Sequence, residues 1–177
     1  MIPVHDKKFE IYITREEIKQ RVEEVAKKIS KDYAQLNPLF LGILNGSYVF
    51  AADLMRAMTT NSEISFIKLA SYSGMQSTGD VVTAIGMDEN IHGRHVIVLE
   101  DIVDTGKTMS SFMPELFALQ PASIKLASFL SKPEARHHNI HPDYVCFEIP
   151  NSFVVGYGLD YDGHGRNLPD LYILAAS

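Results

Sequence analysis

Three carboxylates and a hydroxyl-rich turn stand close together in the middle of the chain. Glu100, Asp101 and Asp104 follow the apolar run 96–99, and residues 105–108 (Thr-Gly-Lys-Thr) come directly after them. Carboxylates at the end of a strand can hold a polyol or a metal ion. Backbone N–H groups at a loop that opens a helix attract anions, because these groups and the helix dipole present partial positive charge. The combination indicates a site for a sugar phosphate.

Two other kinds of site compete with this interpretation. The nucleoside-triphosphate loop has the pattern G-x-x-x-x-G-K-[ST], and Asp101 stands where that pattern needs its first glycine. A carboxylate there would repel a triphosphate. A phospho-acceptor receiver domain also places acids at strand ends, but it does not explain the hydroxyl-rich residues 105–108. The phosphate-plus-ribose interpretation is favoured, and both alternatives stay open at this point.

The run 100–108 (Glu-Asp-Ile-Val-Asp-Thr-Gly-Lys-Thr) resembles the phosphoribosyl-pyrophosphate motif of the type I phosphoribosyltransferases, and its flanks resemble the hypoxanthine–guanine branch. The resemblance implies Mg²⁺-dependent transfer of a 5-phosphoribosyl group from phosphoribosyl pyrophosphate to an oxopurine base. Glu100 and Asp101 would then bind the ribose hydroxyls and the metal. Asp104 would contact the same substrate and act as general base for a purine ring proton. The 5′-phosphate would be bound by Thr105, Gly106, Lys107 and Thr108.

Two further segments resemble loops of the same family. Residues 44–47 (Leu-Asn-Gly-Ser) resemble the pyrophosphate-binding loop, in which Asn45 and Gly46 would contact pyrophosphate and the bond before Asn45 would be cis. Residues 71–80 resemble the flexible lid, with Ser71 and Tyr72 as its functional residues, which would keep water from a glycosyl cation. Without the resemblance, the first segment could be a turn chosen for its shape, and the second a β-hairpin.

A purine pocket is implied by residues near the other end of the chain. Lys132 matches the lysine that donates to the 6-oxo group of the base, which favours oxopurines over adenine. Phe153 would stack on the purine, and main-chain groups at Val154 would read its edge. Asp160 would help hold Mg²⁺ and Arg166 would contact pyrophosphate. Taken alone, Lys132 could be a surface charge and Phe153 a core residue.

Apolar strands alternate with helices along the chain, which is typical of a parallel sheet covered by helices, and ligands of such sheets lie at the carboxyl ends of the strands. Thr14 and Glu17 form a capping box that opens the first helix. The resemblance implies the α/β fold of the type I phosphoribosyltransferases. Its single domain would span residues 1–177, with a core of about 35–130 and a small hood from 1–13 and about 131–177. The patterns predict strands at 39–44, 64–71, 96–99, 123–130 and 144–149, and helices at 51–58 and 109–119.

Composition narrows the function further. The 177 residues carry a net charge of −6, which argues against a nucleic-acid-binding surface, and no apolar run is long enough to cross a membrane. The single cysteine, Cys146, lies in an apolar run and is predicted to be a buried hydrophobe in a cytoplasmic protein. Small-molecule substrates are therefore the expected partners, and the resemblance implies a homodimer or homotetramer.

Three alternatives of other classes remain. An RNA-binding regulator of the same fold is disfavoured by the acidic balance, since Lys27, Lys28 and Lys31 form only a sparse basic group. A phosphotransferase would have to consume ATP. A zinc site at residues 137–141 (His-His-Asn-Ile-His) is disfavoured because adjacent histidines do not easily converge on one ion, and a variable loop is the preferred interpretation.

Overall fold

The computed structural model describes residues 1–71, 81–85 and 89–175. These residues form two sheets and three α-helices. In chain order the elements are β1 (Ile2–Val4), β2 (Lys7–Ile13), α1 (Arg15–Asp32), β3 (Leu39–Leu44), α2 (Tyr48–Ala57), β4 (Glu63–Ser71), β5 (Val81–Ile85), β6 (His95–Val103), α3 (Lys107–Ala118), β7 (Ser123–Ser131), β8 (Tyr144–Glu148), β9 (Val154–Val155) and β10 (Leu171–Leu174).

The larger sheet has the order β5-β4-β3-β6-β7-β8, and all neighbours in it are parallel except the pair β4 and β5. Its central strands are buried on both faces. Phe40 and Ile97 belong to one core cluster, whereas Leu41 and Val98 belong to another. Burial on both faces explains why these strands are continuous apolar runs in the sequence. The α/β architecture expected from the alternation of elements is confirmed.

Helices cover both faces of this sheet. Buried residues of α1 and α2, such as Ile18 and Phe50, pack in the first cluster, and Phe112 of α3 packs in the second. The predicted capping box is present at the start of α1, where the Thr14 hydroxyl accepts from the Glu17 N–H and the Glu17 carboxylate accepts from the Thr14 N–H. No helix in the described ranges combines the length and the apolar character needed to cross a bilayer.

The smaller sheet, β1-β2-β10-β9, is antiparallel and forms the hood. Ile13 of β2 lies opposite Leu171 of β10, so the strand pairing joins distant parts of the chain. The buried Asp170 fastens this sheet to α1, because its carboxylate accepts hydrogen bonds from the Arg15 N–H at 2.8 Å and from the Arg15 guanidinium. The hood therefore has a fixed attachment to the core.

Several element boundaries differ from the sequence prediction. Strand β6 continues to Val103, because it remains paired with β7 as far as Ser131. Helix α3 begins at Lys107, since Gly106 adopts a left-handed backbone with φ +81° that turns the chain into the helix. Helix α2 begins at Tyr48. Strand β8 pairs with β7 in the larger sheet, so residues 144–148 belong to the core and not to the hood.

Candidate active site

A cavity of about 350 Å³ lies at the carboxyl ends of β3 and β6. Its lining includes every residue from Glu100 to Met109, together with Ile43, Leu44 and Leu69. The structure thus brings into one cavity the acid pair, Asp104 and the hydroxyl-rich turn 105–108. Parallel strands carry ligand sites at this edge because their loops converge there.

The turn 105–108 opens directly into α3. Gly106 turns the chain in the left-handed conformation, and its carbonyl accepts from the Ser110 N–H at 2.9 Å to close the first helical turn. The Lys107 N–H donates to the Thr105 hydroxyl at 3.3 Å, and the N–H groups of Thr108 and Met109 belong to the first turn of the helix, where backbone donors have no intrahelical partner. Such a turn is built to receive an anionic group.

The histidine segment supports this turn from behind. The N–H groups of His137 and His138 both donate to the Thr105 carbonyl, at 3.0 and 3.1 Å. The side chains of His138 and Ile140 pack close to Gly106. A Cβ atom at Gly106 would lie 3.4 Å from the Cβ atom of each of these residues. Sequence reasoning missed this role, because nothing local in residues 137–141 indicates that their backbone donates hydrogen bonds to the turn 105–108.

The neighbouring carboxylates of Glu100 and Asp101 repel each other. Glu100 is buried, and burial together with the neighbouring charge of Asp101 raises the pKa of the Glu100 carboxyl well above its ordinary value. Asp101 accepts a hydrogen bond from the Ile102 N–H at 2.8 Å, and its own N–H donates to Glu100 at 3.3 Å. A cation bound between the two carboxylates would offset their mutual repulsion.

Mg²⁺ fits this donor set. The ion prefers hard oxygen ligands, and proteins commonly supply one or two carboxylates while substrate phosphates and water complete the octahedron. Glu100 and Asp101 supply two such carboxylates on the cavity wall. In the described part of the chain, no three acidic, histidine or cysteine side chains come together as a ready-made metal cage. Glu100 and Asp101 are the cavity residues that could hold this ion.

Asp101 also contacts the loop that follows β3. The Asp101 carboxylate lies so close to Gly46 that a Cβ at this position would overlap it. The peptide bond between Leu44 and Asn45 is cis, as the resemblance implies. From the opposite side, Gly158 lies against the Gly46 carbonyl oxygen, again too close for a Cβ. Gly46 therefore sits between the acid pair and the segment that leads from the hood.

Lys132 contacts Asp104, which lines the cavity. The Lys132 side chain is nearly buried, and its Nζ lies 3.4 Å from Asp104 Oδ2. Phe153 is 46% exposed, and its ring packs edge-on against Tyr161 with the two centroids 5.6 Å apart. Val154 is buried in β9. Phe153 is not one of the described residues that line the cavity. The stacking role of Phe153 stays a prediction.

Asp160 and Arg166 bind each other. The Arg166 guanidinium lies 2.7 Å from Asp160 Oδ1 and donates to the Gly158 carbonyl at 2.7 Å. The other oxygen of Asp160 accepts from the Gly163 N–H. The structure thus pairs the predicted metal ligand with the predicted pyrophosphate ligand, and their contacts with a substrate stay predictions. Tyr72 and the side chain of Ser71 lie outside the described residues.

An α/β sheet with acids and a helix N-terminus at its carboxyl edge is an arrangement suited to a phosphorylated sugar or nucleotide. Residues 11–162 match the phosphoribosyl transferase domain family. A hypoxanthine-guanine phosphoribosyltransferase of Streptococcus pyogenes is 41% identical over 166 residues, which cover 93% of this chain and 92% of that protein. Its counterpart from Streptococcus agalactiae is 42% identical over the same shares of the two chains.

Solved structures agree with these relatives. The hypoxanthine-guanine phosphoribosyltransferase of Bacillus anthracis has a TM-score of 0.90 and 36% identity, covering 96% of this chain and 100% of that one. The hypoxanthine phosphoribosyltransferase of Trypanosoma cruzi, in complex with its product IMP, has a TM-score of 0.89 and 37% identity, covering 99% and 98%. The chain belongs to the phosphoribosyltransferase family. The family resemblance of residues 100–108 is confirmed, and the relatives named above carry the names of its hypoxanthine–guanine branch.

Proposed function

We propose that the protein is a purine salvage enzyme that transfers the 5-phosphoribosyl group of phosphoribosyl pyrophosphate to hypoxanthine and guanine. The products are IMP or GMP and pyrophosphate. The observation that carries the proposal is the single cavity that unites the acid pair, Asp104 and residues 105–108, with Lys132 in contact with Asp104. The relatives from Streptococcus and Bacillus are named for this activity, and the relative from Trypanosoma cruzi binds IMP.

Binding of the sugar phosphate follows from the cavity wall. The first-turn N–H groups of α3, with the hydroxyls of Thr105 and Thr108, would bind the 5′-phosphate. Glu100 and Asp101 would accept hydrogen bonds from the ribose hydroxyls, and they accept most strongly as carboxylates. Burial and the charge of Asp101 raise the pKa of Glu100, and a cation bound beside the two carboxylates would favour their charged form.

Mg²⁺ is the proposed cofactor. Glu100 and Asp101 would hold it, with Asp160 as a further candidate ligand. When bound, the ion neutralises charge on the departing pyrophosphate. Arg166 would add its guanidinium to the same leaving group, and the exchange of its present partner Asp160 for pyrophosphate would then accompany substrate binding.

Asp104 would act as the general base. In the reaction the bond between C1′ and the pyrophosphate oxygen breaks with its electron pair leaving on oxygen, and a purine nitrogen forms the new bond to C1′. The ring proton of the purine passes to the Asp104 carboxylate. Lys132 would donate to the 6-oxo group of the base, and its Nζ lies 3.4 Å from Asp104 Oδ2. Proton transfer of this kind contributes about 10²–10⁴-fold to the rate.

The test is direct. The protein is incubated with phosphoribosyl pyrophosphate and Mg²⁺ and with hypoxanthine, guanine, xanthine or adenine in separate reactions, and mononucleotides are separated by chromatography. IMP and GMP are expected, and AMP is not; a matched reaction in EDTA should show no product. Failure to form any mononucleotide would overturn the proposal. ATP consumption or a salt-dependent RNA shift in a binding gel would instead favour a phosphotransferase or an RNA-binding regulator.

We also propose a cytoplasmic homodimer or homotetramer. The unpaired, buried Cys146 suits a reducing compartment. Light scattering coupled to size exclusion would measure the assembly, and a monomer at micromolar concentration would contradict it.

A further inference from the structure

One hydrogen bond joins the elements that are proposed to hold the two ends of the substrates. Tyr157 donates through its hydroxyl to Asp53 Oδ2 at 2.7 Å. Asp53 lies on α2, the helix that directly follows residues 44–47, which are proposed to bind pyrophosphate. Tyr157 lies three residues after Val154, in the segment proposed to form the purine pocket. The bond therefore connects the pyrophosphate side of the site with its purine side.

The Tyr157 side chain is held firmly. It is 5% exposed, and its ring lies with its centroid 4.5 Å from that of Phe129. Burial and the Asp53 carboxylate raise the pKa of the Tyr157 phenol far above its ordinary value, so the phenol stays a neutral donor. The Tyr157 backbone is left-handed, with φ +49°, and its N–H donates to the Leu168 carbonyl at 2.8 Å. A left-handed residue other than glycine persists only where its surroundings enforce it.

The neighbouring residue makes a second link between the same two segments. Gly158 packs directly on the Gly46 carbonyl oxygen, and the Gly158 carbonyl accepts from Arg166. Tyr157 and Gly158 thus fix one turn against the pyrophosphate loop, against the helix behind it and against the arginine proposed to meet the leaving group. A change in the position of this turn therefore alters its contacts with Gly46, Asp53 and Arg166 together.

We infer that Tyr157 is a positioning residue that couples the purine pocket to the pyrophosphate loop through its hydrogen bond to Asp53. The inference rests on the proposed function. Because the Tyr157–Asp53 bond makes the turn and α2 move as one unit, a ligand that favours one position of this unit at the pyrophosphate loop favours the same position at the purine pocket. Such coupling is reciprocal for the two ligands.

Hypoxanthine and pyrophosphate together provide a probe of this coupling, because without the sugar they cannot react. The dissociation constant of hypoxanthine is measured by calorimetry in Mg²⁺, with and without pyrophosphate. In the wild type pyrophosphate is expected to tighten hypoxanthine binding by about tenfold, a common size for coupling between sites. In Tyr157→Phe, which keeps the ring and removes the donor, the two constants should agree within about twofold, since the missing bond is worth about a factor of ten.

A second tyrosine supplies the matched control. Tyr144 donates to Asp32 at 2.8 Å, in the same kind of phenol–carboxylate bond, but it is the first residue of β8, an edge strand of the larger sheet. Tyr144→Phe should lose similar thermal stability and keep the coupling and the KM for pyrophosphate in the reverse reaction. A merely structural role of Tyr157 would make both variants behave alike. Asp53→Asn, which keeps an oxygen acceptor, should retain more coupling than Asp53→Leu.

The outcomes separate two failures. If the wild type transfers no phosphoribosyl group, the proposed function is wrong and the inference falls with it. If transfer is normal but Tyr157→Phe keeps the wild-type coupling, or Tyr144→Phe loses it equally, or the wild type shows none, the inference alone is wrong.

Discussion

Lys132 Nζ lies 3.4 Å from Asp104 Oδ2, so the cation proposed to recognise the base touches the carboxylate proposed to take its proton. The lysine side chain is 9% exposed, whereas Asp104 is 46% exposed and lines the cavity. A nearly buried ammonium keeps a hydrogen-bonding partner even before substrate arrives. The residue proposed to recognise the base and the residue proposed to take its proton are therefore in contact. Substituting each residue alone can separate the two roles.

Asp104→Asn should remove the general base while preserving the shape of the cavity. We expect kcat to fall by about 10²–10³-fold, because an amide cannot take the proton. The affinity for phosphoribosyl pyrophosphate, measured by calorimetry, should stay within about twofold if Asp104 acts mainly in the chemical step. Glu115→Gln, which removes the same charge from an exposed position on α3, should leave kcat unchanged. Near-normal turnover of Asp104→Asn would exclude the residue from that role.

Lys132→Met should weaken binding of the base. A hydrogen bond from a charged group is worth about 1.5–3 kcal/mol, so KM for hypoxanthine is expected to rise by about 10–100-fold. Lys125→Met supplies the control, because Lys125 lies on β7, the strand that ends just before Lys132, and pairs with Asp143 at 2.7 Å in an exposed position. Steady-state kinetics with hypoxanthine and adenine measure the effect. An unchanged KM for hypoxanthine would show that Lys132 does not contact the base.

Gly46→Ala should disable the pyrophosphate loop. The added methyl group would overlap the Asp101 carboxylate, so either the loop or the acid pair has to move. Displacements of this size commonly cost about 10²-fold in rate. Gly93→Ala is the control, since it has open space around it and φ +70°; it should cost about 1 kcal/mol of stability and no activity. Full activity of Gly46→Ala would contradict the assigned contact.

Asp170→Asn should weaken the attachment of the hood and change its response to acid. Burial alone would raise the pKa of Asp170, but hydrogen bonds from Arg15 and Tyr172 bring that pKa below its ordinary value. The carboxylate therefore stabilises the fold above about pH 4, and this contribution is lost as the pH falls through the lowered pKa. Urea denaturation at pH 7 should show a loss of about 1–2 kcal/mol that shrinks below about pH 4.

The control for this measurement is Asp162→Asn. Asp162 is 75% exposed and pairs only across the surface with His5. Its substitution should change the free energy of unfolding by less than about 0.5 kcal/mol at either pH. A pH-independent difference for Asp170→Asn would show that its charge does not support the hood.

Features determined by neighbouring residues could be predicted from the sequence. The capping box needs only Thr14 and Glu17, and the turn that opens α3 needs only residues 105–108, so the local pattern was sufficient to predict both structures. Strand β3 was predicted with its observed bounds because Pro38 and the loop after Leu44 limit the apolar run. Boundaries set by pairing, such as the extension of β6 to Val103, depend on the neighbouring strand.

Contacts between distant residues could not be predicted in this way. Tyr157 and Asp53 are separated by 104 positions, and neither residue type nor spacing indicates that they meet. The pairing of Arg166 with Asp160 is closer in sequence, but both had been assigned to a ligand and not to each other. Such contacts follow from the way the hood folds onto the core, which the local pattern does not contain.

The pairing of β2 with β10 has a consequence for biosynthesis. Ile13 can pair with Leu171 only after all the residues between them have been synthesised. The strands and helices up to Ser131, which carry the cavity at the sheet edge, emerge well before that. During translation, the part of the protein proposed to bind the sugar phosphate can therefore form first, and the part proposed to bind the base is added later.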